Sequence, residues 1–249
     1  MNFSVTTFEE IDSTNEYLKR EADKLPQGSV ARALHQTAGK GRRGRKWEDD
    51  KDSLMFSLLL KDNLNPDRVS LLPLLTGVVL YETLEDYGIQ TSLKWPNDVL
   101  LHDKKCCGIL LEGMSEGSSL KALILGVGLN LNAKRFPPEL EKKATSLYLE
   151  TGKTYDGKEV LNHFLTHFDK EYSKYLANKD SYLDILRKHS YLDGKKVLLN
   201  YYGEGKEVTV VRVEEDGRLK VVDKENKPLY LNAGEVTLES VYSHQNETK

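Results

Sequence analysis

Residues 106–131, C-C-G-I-L-L-E-G-M-S-E-G-S-S-L-K-A-L-I-L-G-V-G-L-N-L, hold two apolar runs separated by a polar, glycine-bearing stretch. Residues 106–113 and 120–131 read as strands, and the turn between them predicts an antiparallel hairpin. Working outward, residues 28–36, 53–60 and 91–95 have the same short apolar character and read as further strands. Ser13-Thr14-Asn15-Glu16 has the spacing of a capping box, which predicts a helix from Ser13 to about Asp23 that stops before Pro26. A long apolar helix is predicted from Pro66 to Gly88, and further helices over 157–178 and 180–190.

The pattern changes after Asp193-Gly194. The helical period ends and short alternating strands follow: K-V-L-L-N-Y-Y, K-E-V-T-V-V-R-V, R-L-K-V-V-D and P-L-Y-L, with Glu215-Asp216-Gly217 as one of the turns. The expected architecture is therefore α+β: a mixed, mostly antiparallel sheet with flanking helices over residues 1–191, then a small SH3-like β-barrel over 192–249.

The chain has 249 residues, with 36 Lys+Arg against 39 Asp+Glu and a formal net charge of −3. Apolar runs recur along its length, which excludes a disordered chain, and none is long enough for a membrane helix. The N-terminal residues have no basic region followed by an apolar one, so no secretion signal is read. Cys106 and Cys107 are adjacent and poorly placed to pair, consistent with a reducing, cytoplasmic setting. His163 and His167 sit four apart, but Phe164 stands where a zincin has Glu, and both read as ordinary helix residues.

Chemistry concentrates in three segments. In G-K-G-R-R-G-R-K-W, residues 39–47, five of the eight residues from 39 to 46 are cations and the other three are glycine. Such a loop can bring its backbone and charge-assisted donors against a phosphate chain. It matches G-x-G-x-x-G literally, yet Trp47 and E-D-D-K-D follow where a dinucleotide fold needs a helix, and no Walker pattern is present. A solvated surface loop and a nucleic-acid contact are the competing readings. Its glycines and mutual repulsion point to ordering on an anion. The second segment, S-L-K-W-P-N-D-V-L-L (92–101), has Asn97-Asp98 in a turn behind Pro96, and it leads to Lys104, Lys105 and a strand broken by Gly108. In the third, G-V-G-L-N-L-N (126–132), Gly126, Gly128, Asn130 and Asn132 alternate and share one face, either a pocket wall or an exposed polar face.

Taken together, D-S-T-N, G-K-G-R-R-G-R-K-W, K-W-P-N-D, K-K-x-x-G-I-L-x-E, G-V-G-L-N-x-N and the C-terminal β module resemble the biotin–protein ligase family over nearly the whole chain. The family commonly carries Arg at the second position of the basic loop; Lys40 keeps the charge without the bidentate fork. The resemblance implies a class II synthetase-like catalytic domain over 1–191. It implies ATP-dependent activation of biotin to biotinyl-5′-AMP, then transfer to a lysine of a biotin carboxyl carrier domain, with Mg²⁺ accompanying ATP. By resemblance Arg42, Lys105 and Asp98 are catalytic. Ser13, Thr14, Asn15, Gln36, Gly39, Lys40, Gly41, Arg42, Lys105 and Gly108 bind biotin. Arg42, Arg45, Trp47 and Asn130 bind the adenylate. It also implies the short, monofunctional type with no DNA partner and no membrane, and leaves a homodimer open. The rival readings are a lipoate–protein ligase and a nucleic-acid-binding module.

Overall fold

The computed structural model describes residues 1–47, 52–117, 119–201, 204–233 and 237–240; the acidic E-D-D after the basic loop lies outside them. Seven strands form one sheet: β1 (Ser4–Phe8), β2 (Ser29–Ala33), β3 (Leu54–Leu60), β4 (Ser92–Lys94), β5 (Asp98–Leu101), β6 (Lys104–Glu116) and β7 (Ser119–Leu129). Their order is β1-β2-β3-β7-β6-β5-β4. Only β1 and β2 run parallel; every other pair is antiparallel, as expected. The β6–β7 hairpin is the one predicted, with Gly108 opposite Gly128 and Leu110 opposite Gly126.

Helices α1 (Thr14–Glu21), α2 (Leu72–Glu85), α3 (Leu147–Thr151), α4 (Gly157–Leu176) and α5 (Tyr182–Lys188) flank the sheet. Phe56, Leu58, Leu60, Leu125 and Val127 join residues of α2, α4 and α5 in the main core. The alternate residues of the same strands, Leu59, Ala122 and Ile124, meet Leu18 and Ala22 around α1 in a second, smaller cluster. That second face is covered by α1 at one end only. At the other end it carries Ser57, Gly126 and Gly128, and there the pocket lies.

Several expected boundaries move for physical reasons. The predicted 66–88 helix is a 3₁₀ segment, Pro66–Leu71, followed by α2, because Pro73 has no N–H with which to continue a ladder through this stretch. Gly88, at φ 73°, ends the connection as predicted. Strand β7 spans to Leu129, and the Asn130 N–H, bonded to Cys106 O at 2.8 Å, carries its register with β6 one residue further. Asp98 opens strand β5 instead of sitting in the turn, and β1, β5 and α3 lie outside the predicted elements. The Trp95–Pro96 peptide is cis. Both cysteines are free and buried. His163 and His167 each bond Asp86 Oδ2 at 2.9 Å, tying α4 to the residue that follows α2.

The C-terminal strands β8 (Lys196–Tyr201), β9 (Glu204–Val213), β10 (Leu219–Val222), β11 (Pro228–Leu231) and β12 (Thr237–Ser240) form one open sheet, ordered β11-β10-β9-β8-β12. The expected barrel is not closed among the described residues. Closure needs its two edge strands to meet, and β12 pairs with β8 while β11 pairs with β10. The sheet is locked to the larger one by the buried Trp95 indole, which donates to Gly217 O at 3.0 Å. Trp95→Phe leaves that carbonyl without its donor. It should lower stability by about 1–3 kcal/mol, read from the urea midpoint by circular dichroism; an unchanged midpoint would remove this contact from the account.

Candidate functional site

The register of the sheet lays out the site. Lys94 pairs with Asp98, Asp98 with Gly108, Gly108 with Gly128, and Gly128 with Met55, so these residues form one row on one face. In the adjacent row Leu110 pairs with Gly126 and Gly126 with Ser57. Three glycines at the middle of the two rows leave a bare floor. A Cβ on Gly128 would fall 2.6 Å from the Trp47 ring, one on Gly108 2.9 Å from both Trp47 and Lys105 Nζ, and one on Gly126 2.3 Å from Asn15 Oδ1. The floor is bare because other side chains lie on it.

Above that floor a cavity is lined on one side by Ser13, Thr14, Asn15 and Gln36, and on the other by Lys40, Gly41, Arg42, Trp47, Asn97 and Lys105. The first group comes from the start of α1 and from Gln36, whose Ile11 bridge continues the β1–β2 pairing. Ser13 occupies the cap position, but its side chain makes no capping bond. Asp12 accepts the Ser13 N–H instead, and Glu16 bonds Lys19 and Lys40, so the capping box does not form. Among the described residues the Ser13 hydroxyl is left available at the cavity. Thr14 donates its N–H to Gln36 Oε1 at 2.8 Å, and Asn15 donates to Glu112 Oε2 at 2.7 Å.

The basic segment folds back on itself through its own backbone. Lys40 and Lys46 form an antiparallel bridge, Gly41 N–H reaches Arg45 O at 2.7 Å, and Trp47 N–H reaches Gly39 O at 3.0 Å. The tip is a 3₁₀ turn over Arg42–Gly44, with Arg43 at φ 57° and Gly44 at φ 72°. Lys40 is anchored to Glu16 at 2.8 Å, and the Lys40 and Lys19 ammoniums hold the Glu16 carboxyl below its usual range. Arg42 donates to Asn97 Oδ1 at 2.7 Å and to the Ala233 carbonyl, so it ties the loop to the K-W-P-N-D turn and to the C-terminal sheet. Burial lowers the Arg42 pKa, opposed by the Asp98 charge.

Lys105 Nζ lies 2.7 Å from Asp98 Oδ1, and 5.7 Å from the centroid of the Trp47 ring. The Trp47 indole N–H is buried with no acceptor among the described residues. Burial also pulls the Lys94 ammonium below its ordinary pKa, with Asp98 opposing and Lys105 adding to the effect. The cavity thus has a neutral hydrogen-bonding wall at one end and a cationic end around Arg42 and Lys105. That arrangement suits a ligand with an uncharged polar head and an anionic tail.

Of the residues expected at the site, Ser13, Thr14, Asn15, Gln36, Lys40, Gly41, Arg42, Trp47, Lys105 and Gly108 line the cavity. Asp98 stands beside it through Lys105, and Gly39 lies behind Trp47. Arg45 is on the exposed side of the loop. Asn130 is buried behind the floor, where its amide donates to Thr145 O at 3.0 Å. Asn132 likewise secures backbone, donating to Tyr155 O, so the 126–132 segment lines the pocket through Gly126, Val127 and Gly128 and not through its two asparagines. Sequence reasoning assigned no role to Ser57, Asn97 or Glu112. The available signals were the lone hydroxyl inside the apolar run L-M-F-S-L-L-L and the acid closing K-K-x-x-G-I-L-x-E.

The model of the biotin/lipoate A/B protein ligase family matches residues 7–130. The biotin–[acetyl-CoA-carboxylase] ligase of Paracoccus denitrificans is 32% identical over 177 residues, covering 69% of this chain and 72% of that protein. The bifunctional ligase/repressor BirA of Bacillus subtilis is 37% identical over 160 residues, covering 63% of this chain and 49% of its own length. The chain spans about half the length of the BirA proteins it matches. A biotin protein ligase from Aquifex aeolicus, solved in complex with biotin and ATP, superposes with a TM-score of 0.84 at 32% identity, covering 95% of this chain and 99% of that one. With its fold, its motif order and these similarities in agreement, the chain belongs to the biotin protein ligase family.

Proposed function

We propose that the protein is an ATP-dependent biotin–protein ligase. The observation that carries this reading is the cavity itself: one space joins the neutral wall of Ser13, Thr14, Asn15 and Gln36 to the cations Arg42 and Lys105. The biotin complexes named among its relatives support it. In the first step a biotin carboxylate oxygen attacks the α-phosphorus of ATP, the bond to pyrophosphate breaks, and biotinyl-5′-AMP forms. In the second, a lysine amine of a biotin carboxyl carrier domain attacks the acyl carbon, AMP leaves, and the amine loses its proton.

The neutral wall takes the ureido ring, whose carbonyl and N–H groups need donors and acceptors together. Lys40 and Gly41 border the ligand from the opposite side, with Gly39 behind Trp47, and Gly108 lets Trp47 and Lys105 lie against the sheet beside it. Arg42 and Lys105 neutralise the carboxylate and α-phosphate as charge gathers there, a contribution that electrostatic preorganisation makes large. Trp47 and Arg45 meet the nucleotide, and Asn130 shapes that end from behind. Asp98, held by Lys105, is placed to orient or deprotonate the acceptor amine, which at an ordinary pKa near ~10.4 is mostly protonated at neutral pH. ATP brings Mg²⁺ with it: phosphate oxygens and water are its customary ligands, and among the described residues no group of three or more His, Cys, Asp or Glu could hold a metal. We assign residues 1–191 to the catalytic domain and 192–249 to a C-terminal β domain.

Labelling of a biotin carboxyl carrier domain should require both biotin and ATP, and lipoate should not replace biotin. Lipoate transfer at a matching rate would move the chain to the lipoate side of its family. Asp98→Asn should slow transfer to the carrier about tenfold or more while pyrophosphate release with biotin and ATP changes less, the range expected for loss of a general base. Equal slowing of the two half-reactions would remove Asp98 from the acceptor role.

A further inference from the structure

Glu112 lies on β6 at the edge of the neutral wall, and its two carboxylate oxygens are both engaged. Oε1 is 2.6 Å from the Lys19 ammonium, and Oε2 accepts from Asn15 Nδ2 at 2.7 Å. A carboxylate paired with an ammonium in this way only accepts hydrogen bonds. Asn15 must therefore turn its NH₂ towards Glu112 and its carbonyl oxygen the other way. That oxygen is met by the Ser57 hydroxyl at 2.5 Å.

Ser57 has one proton and lies within reach of two oxygens, Asn15 Oδ1 and Thr14 Oγ1, the latter at 2.7 Å. Since the Asn15 oxygen cannot donate, the Ser57 proton belongs to it. Thr14 is left to donate its own proton, to Ser57 or to Gln36 Oε1 at 3.1 Å. At the far end the Thr14 backbone N–H fixes Gln36 with its oxygen inward. Ser57 is fully buried and Asn15 nearly so, so water does not relax this order.

We propose that Glu112 is a positioning residue for ligand specificity: its carboxylate fixes the direction of the Glu112–Asn15–Ser57–Thr14 chain, so that Asn15 offers the cavity a donor. The ligand chemistry this favours is a neutral ring that presents a carbonyl oxygen, over an isosteric ring that presents only N–H donors. The inference rests on the biotin reading and adds to it a residue that acts through Asn15. Gly126 is part of the same device, because any side chain there would displace the Asn15 carboxamide.

Calorimetric titration of the full chain with biotin and with 2-iminobiotin, whose cyclic guanidinium replaces the ring carbonyl by donors, separates the outcomes. The wild type should favour biotin strongly. In Glu112→Gln the new amide can donate as well as accept, Asn15 can reverse, and the biotin-to-iminobiotin affinity ratio should shrink about tenfold or more, the range for a hydrogen bond to a charged group. Glu112→Asp retains an acceptor-only group and should keep the wild-type ratio even where its shorter reach weakens both ligands. A fall in both affinities by the same factor in Glu112→Gln, or loss of the ratio in Glu112→Asp, would overturn the proposal. A wild type that binds no biotin would remove the proposed function and this inference with it.

Discussion

Everything at the site depends on three missing side chains. Gly108, Gly126 and Gly128 sit opposite or beside one another on β6 and β7, at the end of the sheet face that α1 leaves uncovered. A strand interior loses stability when glycine replaces a branched residue, and this sheet carries three at its centre. In return the Trp47 ring, the Lys105 ammonium and the Asn15 carboxamide can lie directly against the backbone. Two strand rows that would elsewhere be ordinary core become the floor of a cavity. The opposite face of the same strands remains fully apolar and packs the main core, so the site is built on a rigid support.

The second organising feature is the separation of charge along the cavity. Cations are gathered at one end, but each is held by a specific partner: Lys40 by Glu16, Lys105 by Asp98, and Arg42 by Asn97 and the Ala233 carbonyl. The near-zero net charge of the chain hides this arrangement. Arg42 also joins three distant parts of the sequence, the basic loop, the K-W-P-N-D turn and the end of β11, so the C-terminal sheet borders the site instead of merely following it in sequence. The Trp95–Gly217 contact fixes the same relationship from below.

Much of the site could be read from the sequence because its chemistry is dense and local. The basic loop, the Lys104-Lys105 pair before Gly108, and the alternation of Gly126 and Gly128 all announce themselves within a few residues. The hairpin at 106–131 was equally legible, since its two runs can only bury their apolar faces by pairing. Other features depend on contacts that no window contains. Ser57 looks like an interruption in an apolar strand, and Glu112 like a solvent-facing acid, until the register brings them to Asn15, 42 and 97 residues away. Local rules also lost to tertiary ones. The Ser13 capping box is displaced by Asp12, Lys19 and Lys40, and the β-barrel expected from strand spacing is not closed among the described residues, where β11 and β12 each pair along one edge only.

The central claim is that the glycine floor makes the site. Its most direct test is pyrophosphate release from biotin and ATP by Gly128→Val, with folding checked by far-ultraviolet circular dichroism. The two γ-methyl groups would occupy the seat of the Trp47 ring. A folded variant should therefore lose most of its adenylate formation, by about a hundredfold or more if misplacement of the bound groups follows the usual pattern. A folded Gly128→Val that releases pyrophosphate at the wild-type rate would contradict the account.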